Sequence, residues 1–272
     1  MGSDPGSRYA SVLEAVVDTL VIDAGNTRIH WRARLGSGQV VAGSSSAASP
    51  DCPWSEKIPP ETDFLKVAVS CLRADHRSAL EPILNHWTSR PILWIESGAA
   101  AEVCVETEFP NRTGADRALA ALAWGQSSAG KPAVLIDAGT AVTVDAVTAS
   151  GVLLGGWITV GWQALNDALP NAAPELPRET SVNDDAIPWS RETTEAIGGG
   201  LNTLYCSGIA GLHSQVLEGL QGRQETEIET VLTGGDADRL VETFPGALLK
   251  PGLVLDGLEA VLSLQKSENG QG

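Results

Sequence analysis

Val21-Ile22-Asp23-Ala24-Gly25-Asn26-Thr27 and Leu135-Ile136-Asp137-Ala138-Gly139-Thr140-Ala141 are two versions of one pattern, 114 residues apart. Each is an apolar run that ends in Asp-Ala-Gly and then an amide or hydroxyl residue. Each leads into a second strand-like run, Arg28 to Leu35 or Val142 to Thr148, and then a turn signal, Gly36-Ser37-Gly38 or Ala149-Ser150-Gly151. A third strand-like run follows, Gln39 to Ala42 or Val152 to Ile158. A three-strand meander written twice at this spacing is too widely separated for a solenoid and fits a duplicated domain.

Outward from the two meanders the pattern alternates. Gly43 to Ser49 and Pro50 to Thr62 read as loop, Leu65 to Ser70 as a strand and Ala74 to Trp87 as a helix. Pro91 to Ile95 reads as a strand and Ala115 to Trp124 as a helix. Beyond the second meander the spacing predicts a helix over Trp162 to Leu169, a loop from Pro170 to Pro188 and a long helix from Thr193 to Leu220. A strand over Glu229 to Leu232, a helix over Asp236 to Thr243 and a terminal helix over Leu253 to Leu264 complete the chain. Meanders followed by alternating strands and helices imply an α/β architecture with mixed sheets. The lobe boundary falls near Gly114, giving domains of 18–113 and 114–264, with the last helix packing back across the divide.

Composition narrows the function. The chain has 272 residues, 18 Lys plus Arg against 34 Asp plus Glu, and a formal net charge of -16. So acidic a surface repels phosphate backbones and anionic lipid, which excludes nucleic acid and membrane as partners. Any phosphate site must then be built locally, from backbone N–H groups and bound cations. Cys52, Cys71, Cys104 and Cys206 form no CxxC pair and read as reduced thiols of a cytoplasmic protein. Met1 to Ser11 is not a signal peptide, no run is long enough for a membrane span, and Gln265 to Gly272 reads as a frayed polar tail. His30, His76, His86 and His213 lack any metal-ligand grouping and read as structural or surface residues.

The residues that carry chemistry sit at the turns. Asp23 ends a buried strand and is suited to hold Mg²⁺, directly or through water. Gly25, Asn26 and Thr27 supply a close-approach backbone and short donors, the ingredients of a phosphate-holding turn. For one such copy alone a plain hairpin with an Asx turn is the favoured reading; two facing copies change that, since they can clasp a polyphosphate from both sides. In the second copy Thr140 offers a hydroxyl and Asp137 a cation ligand. Asp145, further along, is either part of this constellation or a surface acid at a strand end. Gly234 and Gly235, in Thr233-Gly234-Gly235-Asp236, allow a flat adenine ring or its ribose to pack on the backbone, while Asp236 is also a good N-cap. Gly114-Ala115-Asp116-Arg117 opens a helix. Asp116 is either a first-turn acid or the general base for a substrate hydroxyl, and Arg117 either a solvated ion pair or a clamp for an anion or amide.

These motifs, with Gly155-Gly156-Trp157-Ile158 among them, stand in an order and spacing that resemble type III pantothenate kinase from residue 23 to 236. The resemblance implies two ribonuclease H-like lobes of the actin and hexokinase type, with ATP and Mg²⁺ in the cleft between them. It implies that the turn Asp23, Ala24, Gly25, Asn26, Thr27, Arg28, Ile29 and His30 holds ATP, that Thr140 touches it, and that Asp137 binds a monovalent cation, K⁺ or NH₄⁺. It assigns Gly114, Ala115, Asp116 and Arg117 to pantothenate, with Asp116 as proton acceptor, and adds Thr194 at the start of the long helix. It implies a homodimer whose partner subunit closes the pantothenate pocket, and 4′-phosphopantothenate, on the way to coenzyme A, as product. Two positions depart from the family pattern. Val160 replaces a Pro before Gly161, and Thr107 replaces a pocket-lining Tyr, with Phe109 the nearest aromatic. A kinase of the same fold for another small hydroxylated substrate, or a non-catalytic regulator on that fold, are the rival readings.

Overall fold

The computed structural model describes residues 18–47, 52, 54–71, 73–101, 105–178 and 189–268. The expectations for residues 1–11, for Cys104, for 179–188 of the loop and for the last four residues lie outside them.

The duplicated pattern becomes a duplicated sheet. In the first, β1 (Thr19–Ala24) pairs antiparallel with β2 (Arg28–Arg34), and β2 with β3 (Val40–Ser46). On the other side β1 pairs parallel with β4 (Lys66–Cys71), and β4 with β5 (Ile92–Ile95). α1 (Ala74–Leu84) connects β4 to β5. In the second sheet β6 (Ala133–Ala138), β7 (Ala141–Val147) and β8 (Leu153–Val160) repeat the meander. β9 (Glu229–Thr233) then lies parallel to β6 and the short β10 (Leu248–Leu249) parallel to β9. The strand orders, β3-β2-β1-β4-β5 and β8-β7-β6-β9-β10, are the same topology twice.

Four further helices fill the layers: α2 (Ala115–Ser127), α3 (Trp162–Ala172), α4 (Thr193–Gly222) and α5 (Leu253–Glu268). Strand alternation assigns every face. In β1, Leu20, Ile22 and Ala24 join Trp54, Phe64 and Leu80 in one core, while Val21 faces the other way. In β6, Val134, Ile136 and Ala138 join Trp162, Leu201 and Ile209 under α4, while Leu135 faces the other way. Val21, Leu135 and Val231 meet α2 and α5 in a central core between the two sheets. The helices approach closely there, since a Cβ on Gly257 of α5 would lie 2.2 Å from the Leu119 carbonyl of α2. α5 is also fastened to the first sheet: Arg32 reaches Asp256 at 2.5 Å, Arg34 reaches Glu259 at 2.7 Å, and Lys66 Nζ donates to the Leu262 carbonyl at 2.7 Å.

Some elements differ from the sequence reading. Gly43 to Ser46 is strand, because Ser44 and Ser46 alternate with part-buried positions while Gly43 leaves room for the Trp31 indole, 2.8 Å from where its Cβ would stand. α3 runs through Pro170 to Ala172, since a Pro in the last turn removes a single N–H. The helix expected over Asp236 to Thr243 is only a 3₁₀ turn over Ala237–Leu240, and Asp236 makes no side-chain cap. β10 is too short to carry a periodic signal. Among the described residues no helix is long and apolar enough to cross a membrane.

Candidate active site

The alternation that builds the cores also builds the site. Asp23 shares the inner face of β1 with Val21, and Asp137 shares the inner face of β6 with Leu135. Both aspartates therefore look into the space between the sheets, at the C-terminal ends of central strands, where open α/β sheets place ligands. Across the ladder the partner of Asp23 on β4 is Ser70, and that of Asp137 on β9 is Thr233. Ser70 and Thr233 are each 2% exposed, and Ser70 hydrogen-bonds Asp23. Ser70 belongs to no motif of the sequence, and Thr233 reads there only as the first residue of the Gly234-Gly235 turn. Their signal is a lone polar residue on a buried strand, one rung from the aspartate.

Three carboxylates meet at the cleft. Burial pushes Asp23 up to about 7, helped by the charges of Asp116 and Asp137 and opposed by the Ser70 hydrogen bond. Burial likewise pushes Asp137 up to about 7, with Asp116 and then Asp145 adding to it. Arg117 feels the charge of Asp116 at the edge of this cluster but is hydrogen-bonded to Asp145. Among the described residues no three His, Cys, Asp or Glu side chains form a ready metal cage.

Asp116 is placed by its glycine. Gly114 precedes α2 with extended ψ, and a Cβ on it would lie in collision with the Asp116 carboxylate, 2.3 Å from Oδ1. That oxygen accepts a hydrogen bond from the Arg117 N–H at 2.9 Å. Asp116 is thus in the first turn, with its carboxylate folded toward the helix start and still part-exposed.

Arg117 does not point into open solvent, and Asp145 is not a surface acid. The Arg117 Nε donates to both carboxylate oxygens of Asp145, at 3.0 and 3.1 Å, and Nη2 donates to Oδ1. The Arg117 side chain is 12% exposed and that of Asp145 is 3%. Burial pushes the Asp145 carboxyl up, and Arg117 opposes it. Asp145 has room because its cross-strand partner is Gly156, where a Cβ would stand 2.5 Å from Oδ1 and 2.1 Å from the Val144 carbonyl. Gly156 of β8 therefore serves the ion pair, a link between residues 117, 145 and 156 that spacing along the chain does not reveal.

Two more glycines hold the second turn. Gly234 adopts φ +91, and a Cβ there would lie 2.4 Å from both the Ala138 carbonyl and Asp137 Oδ1. Gly161 packs as closely on the carbonyls of Gly139 and Thr140, and its N–H donates to the Thr140 carbonyl at 3.2 Å. Replacing the neighbouring Pro by Val160 leaves this contact intact. Across the cleft Thr27 Oγ1 and Thr140 Oγ1 are 2.8 Å apart, so the two turns do face each other.

Within the first turn, Ala24 and Ile29 bury their side chains and offer only backbone to a ligand, whereas Asn26, Thr27 and Arg28 are exposed. Gly25 is tight, with a Cβ 3.0 Å from the Arg28 carbonyl. His30 sits opposite Asp23 on β2, and burial, with Arg28, holds its imidazole below the usual value. Ala115 is wholly buried, and Gly235 faces open space. Thr107 bonds the Thr113 hydroxyl at 2.6 Å, and the exposed Phe109 ring lies under the Arg112 guanidinium at 5.6 Å. Thr194 stands in the first turn of α4, where its hydroxyl bonds Glu192 Oε2. α4 packs on the outer face of the second sheet, whereas α2 packs on the inner face. Asp116 opens the helix on the inner face, and Thr194 opens the helix that covers the outer face. A groove of about 540 Å³ beside it, lined by Leu169, Arg191, Ile197 and Leu204, includes none of the three aspartates.

Known proteins resemble this chain in fold and in sequence. The solved structure of MreB 5 of Spiroplasma citri bound to AMPPNP shares the fold, with TM-score 0.53 at 12% identity, covering 93% of this chain and 99% of its own. A Campylobacter jejuni structure described as Baf family transcriptional activator superposes with TM-score 0.59 at 20% identity, covering 91% and 99%. The type III pantothenate kinase of Marinobacter nauticus is 33% identical over 249 residues, 90% of this chain and 98% of its own. The family model for type III pantothenate kinase matches residues 19–215, a span that contains both duplicated turns and the Asp116 loop. Two mixed sheets of the actin and hexokinase type, carrying these motifs in these places, make this chain a member of the type III pantothenate kinase family.

Proposed function

We propose that this protein transfers the γ-phosphoryl group of ATP to the terminal hydroxyl of pantothenate, giving 4′-phosphopantothenate for coenzyme A synthesis. The observation that carries the reading is the meeting of Asp23, Asp116 and Asp137 between two facing Asp-Ala-Gly turns, in a chain of this family. Phosphoryl transfer needs in-line positioning, charge neutralisation and an acceptor for the hydroxyl proton.

Asp116 is that acceptor. Its carboxylate is part-exposed at the cleft and anchored by one backbone bond, which leaves lone pairs for the substrate hydroxyl. The backbone of Gly25 to Thr27 and the hydroxyl of Thr140 receive the phosphates. Arg117, fixed by Asp145, presents its remaining N–H groups to the polar chain of pantothenate. The carboxylates of Asp23 and Asp137 suit Mg²⁺ and a monovalent cation, respectively, and such cations supply neutralisation of the charge that builds on the transferring group. Gly234 and Gly235 border the adenosine end.

The protein acts as a homodimer in the cytoplasm. Thr194 supports the first point. It opens the helix packed on the outer face of the second sheet, whereas Asp116 opens the helix on the inner face, an arrangement that suits service to the pantothenate pocket of a partner subunit. The boundary between lobes lies at Gly114, with residues 18–113 and 114–264 as the two domains and α5 returning to the first. Asp116→Ala tests the proposal: turnover falls by about 10²–10⁴-fold while thermal unfolding stays that of the parent. Near-normal turnover by a normally folded variant would remove Asp116 from this role.

A further inference from the structure

The second phosphate turn is gripped by two chain segments, and each leads directly to one half of a stacked pair. Gly161, seated on the Gly139 and Thr140 carbonyls, is followed at once by Trp162. Gly234, seated on Ala138 and Asp137, leads through Gly235 and Asp236 into the 3₁₀ turn that carries Arg239. The two side chains meet: the Arg239 guanidinium lies 4.5 Å over the Trp162 ring. Trp162 is 9% exposed and braced edge-on by Tyr205, with ring centroids 5.5 Å apart. Arg239 is 45% exposed and further steadied by Asp236 at 3.6 Å.

The guanidinium therefore meets the indole on one side and remains 45% exposed, four residues after a Gly235 whose Cβ position has nothing within 4 Å among the described residues. A guanidinium plane held flat in this way is a stacking surface for a purine. Tyr205, braced against the indole, is only 4% exposed, and its buried hydroxyl has no hydrogen-bond partner among the described residues. Burial, reinforced by Asp236, pushes it up to about 12, so it remains a proton donor.

We infer that Arg239, laid on Trp162, is the platform for the nucleobase of the phosphoryl donor. The inference rests on the kinase reading above and adds to it the group that recognises the base. It assigns the glycine turn to the approach of the sugar and the Arg239 plane to the base itself, so the donor is held at both ends from the same phosphate turn.

Calorimetric titration with Mg-ADP and with Mg-tripolyphosphate, which has the phosphates without the base, separates the two claims. Arg239→Ala and Arg239→Lys both weaken Mg-ADP binding by about tenfold, the order of one lost base stack, and leave tripolyphosphate unchanged. Lys keeps the charge and loses the plane, so its loss identifies stacking. Arg239 is half-exposed, and unfolding temperature checks that each variant is folded. Affinity for Mg-ADP within twofold of the parent in Arg239→Ala overturns the platform while leaving the kinase reading in place. So does an equal loss for both probes, or full rescue by Lys, either of which makes Arg239 only a charge. A parent protein that binds neither probe overturns the platform and the kinase reading together.

Discussion

Asp145→Asn removes one charge from a buried ion pair and keeps its shape. Arg117 makes three donations to that carboxylate and neither side chain is more than 12% exposed. Removing one partner of such a pair leaves the other uncompensated, which costs about 3–5 kcal/mol. The lower end applies here, because the guanidinium borders the cleft and can turn toward water. About 3 kcal/mol corresponds to a fall of about 6–12 °C in unfolding temperature for a chain of this size. The double variant Arg117→Met with Asp145→Asn loses both charges together and recovers most of that stability, so the cycle has a coupling energy of about 2 kcal/mol or more. Catalysis separates from stability in the same variants. Asp145→Asn lets Arg117 wander, so KM for pantothenate rises about tenfold or more while KM for ATP stays put. Thermal unfolding and steady-state kinetics on the four proteins of the cycle read both. Single variants that unfold with the parent and keep its KM for pantothenate would refute the role given to the pair, and with it the reason offered for Gly156.

Other consequences follow from the same coordinates. Asp23 and Asp137 have folded-state values of about 7, above the ordinary 3.8. The folded protein therefore holds protons that the unfolded chain has released, and without added cations stability falls as pH rises from about 4 to about 7. Scanning calorimetry at pH 5 and pH 8 shows the higher unfolding temperature at pH 5, and Mg²⁺ narrows the gap by favouring the ionised carboxylates; a flat profile contradicts the crowding of the three acids. Gly257→Ala drives a Cβ against the Leu119 carbonyl and destabilises the protein by about 1–3 kcal/mol by forcing α2 and α5 apart; denaturant unfolding measures it, and an unchanged midpoint contradicts the close helix approach. Gly234→Ala imposes a side chain at φ +91, against Asp137, so Mg-ADP affinity drops at least tenfold; calorimetric binding equal to the parent's contradicts the place of that turn in the nucleotide site.

The duplication made most of the fold legible. Because β1 and β6 both end in Asp-Ala-Gly, period-2 alternation alone turns Asp23 and Asp137 to the inner faces of their sheets. Strand and helix positions followed from the same periodicities. What stayed hidden is contact made across the sheet. Asp145 reads as a strand-end acid until β8 is laid beside β7 and Gly156 opens space for it. Ser70 carries no motif and Thr233 only opens the Gly234-Gly235 turn, and the parallel pairing to β1 and β6 is what brings them to the aspartates. The helix expected from Asp236 to Thr243 is a single 3₁₀ turn over Ala237–Leu240, after which the chain leads into β10. Thr194 was legible as a helix-start hydroxyl, but its side of the sheet was not.

ADP formation from Mg-ATP, followed with and without pantothenate in K⁺ and then in Na⁺ buffer, tests the central claim most directly. The account predicts turnover that requires pantothenate, is faster in K⁺ than in Na⁺, and yields one 4′-phosphopantothenate per ADP. Folded protein that makes no ADP with pantothenate, or releases ADP equally without it, would contradict the account.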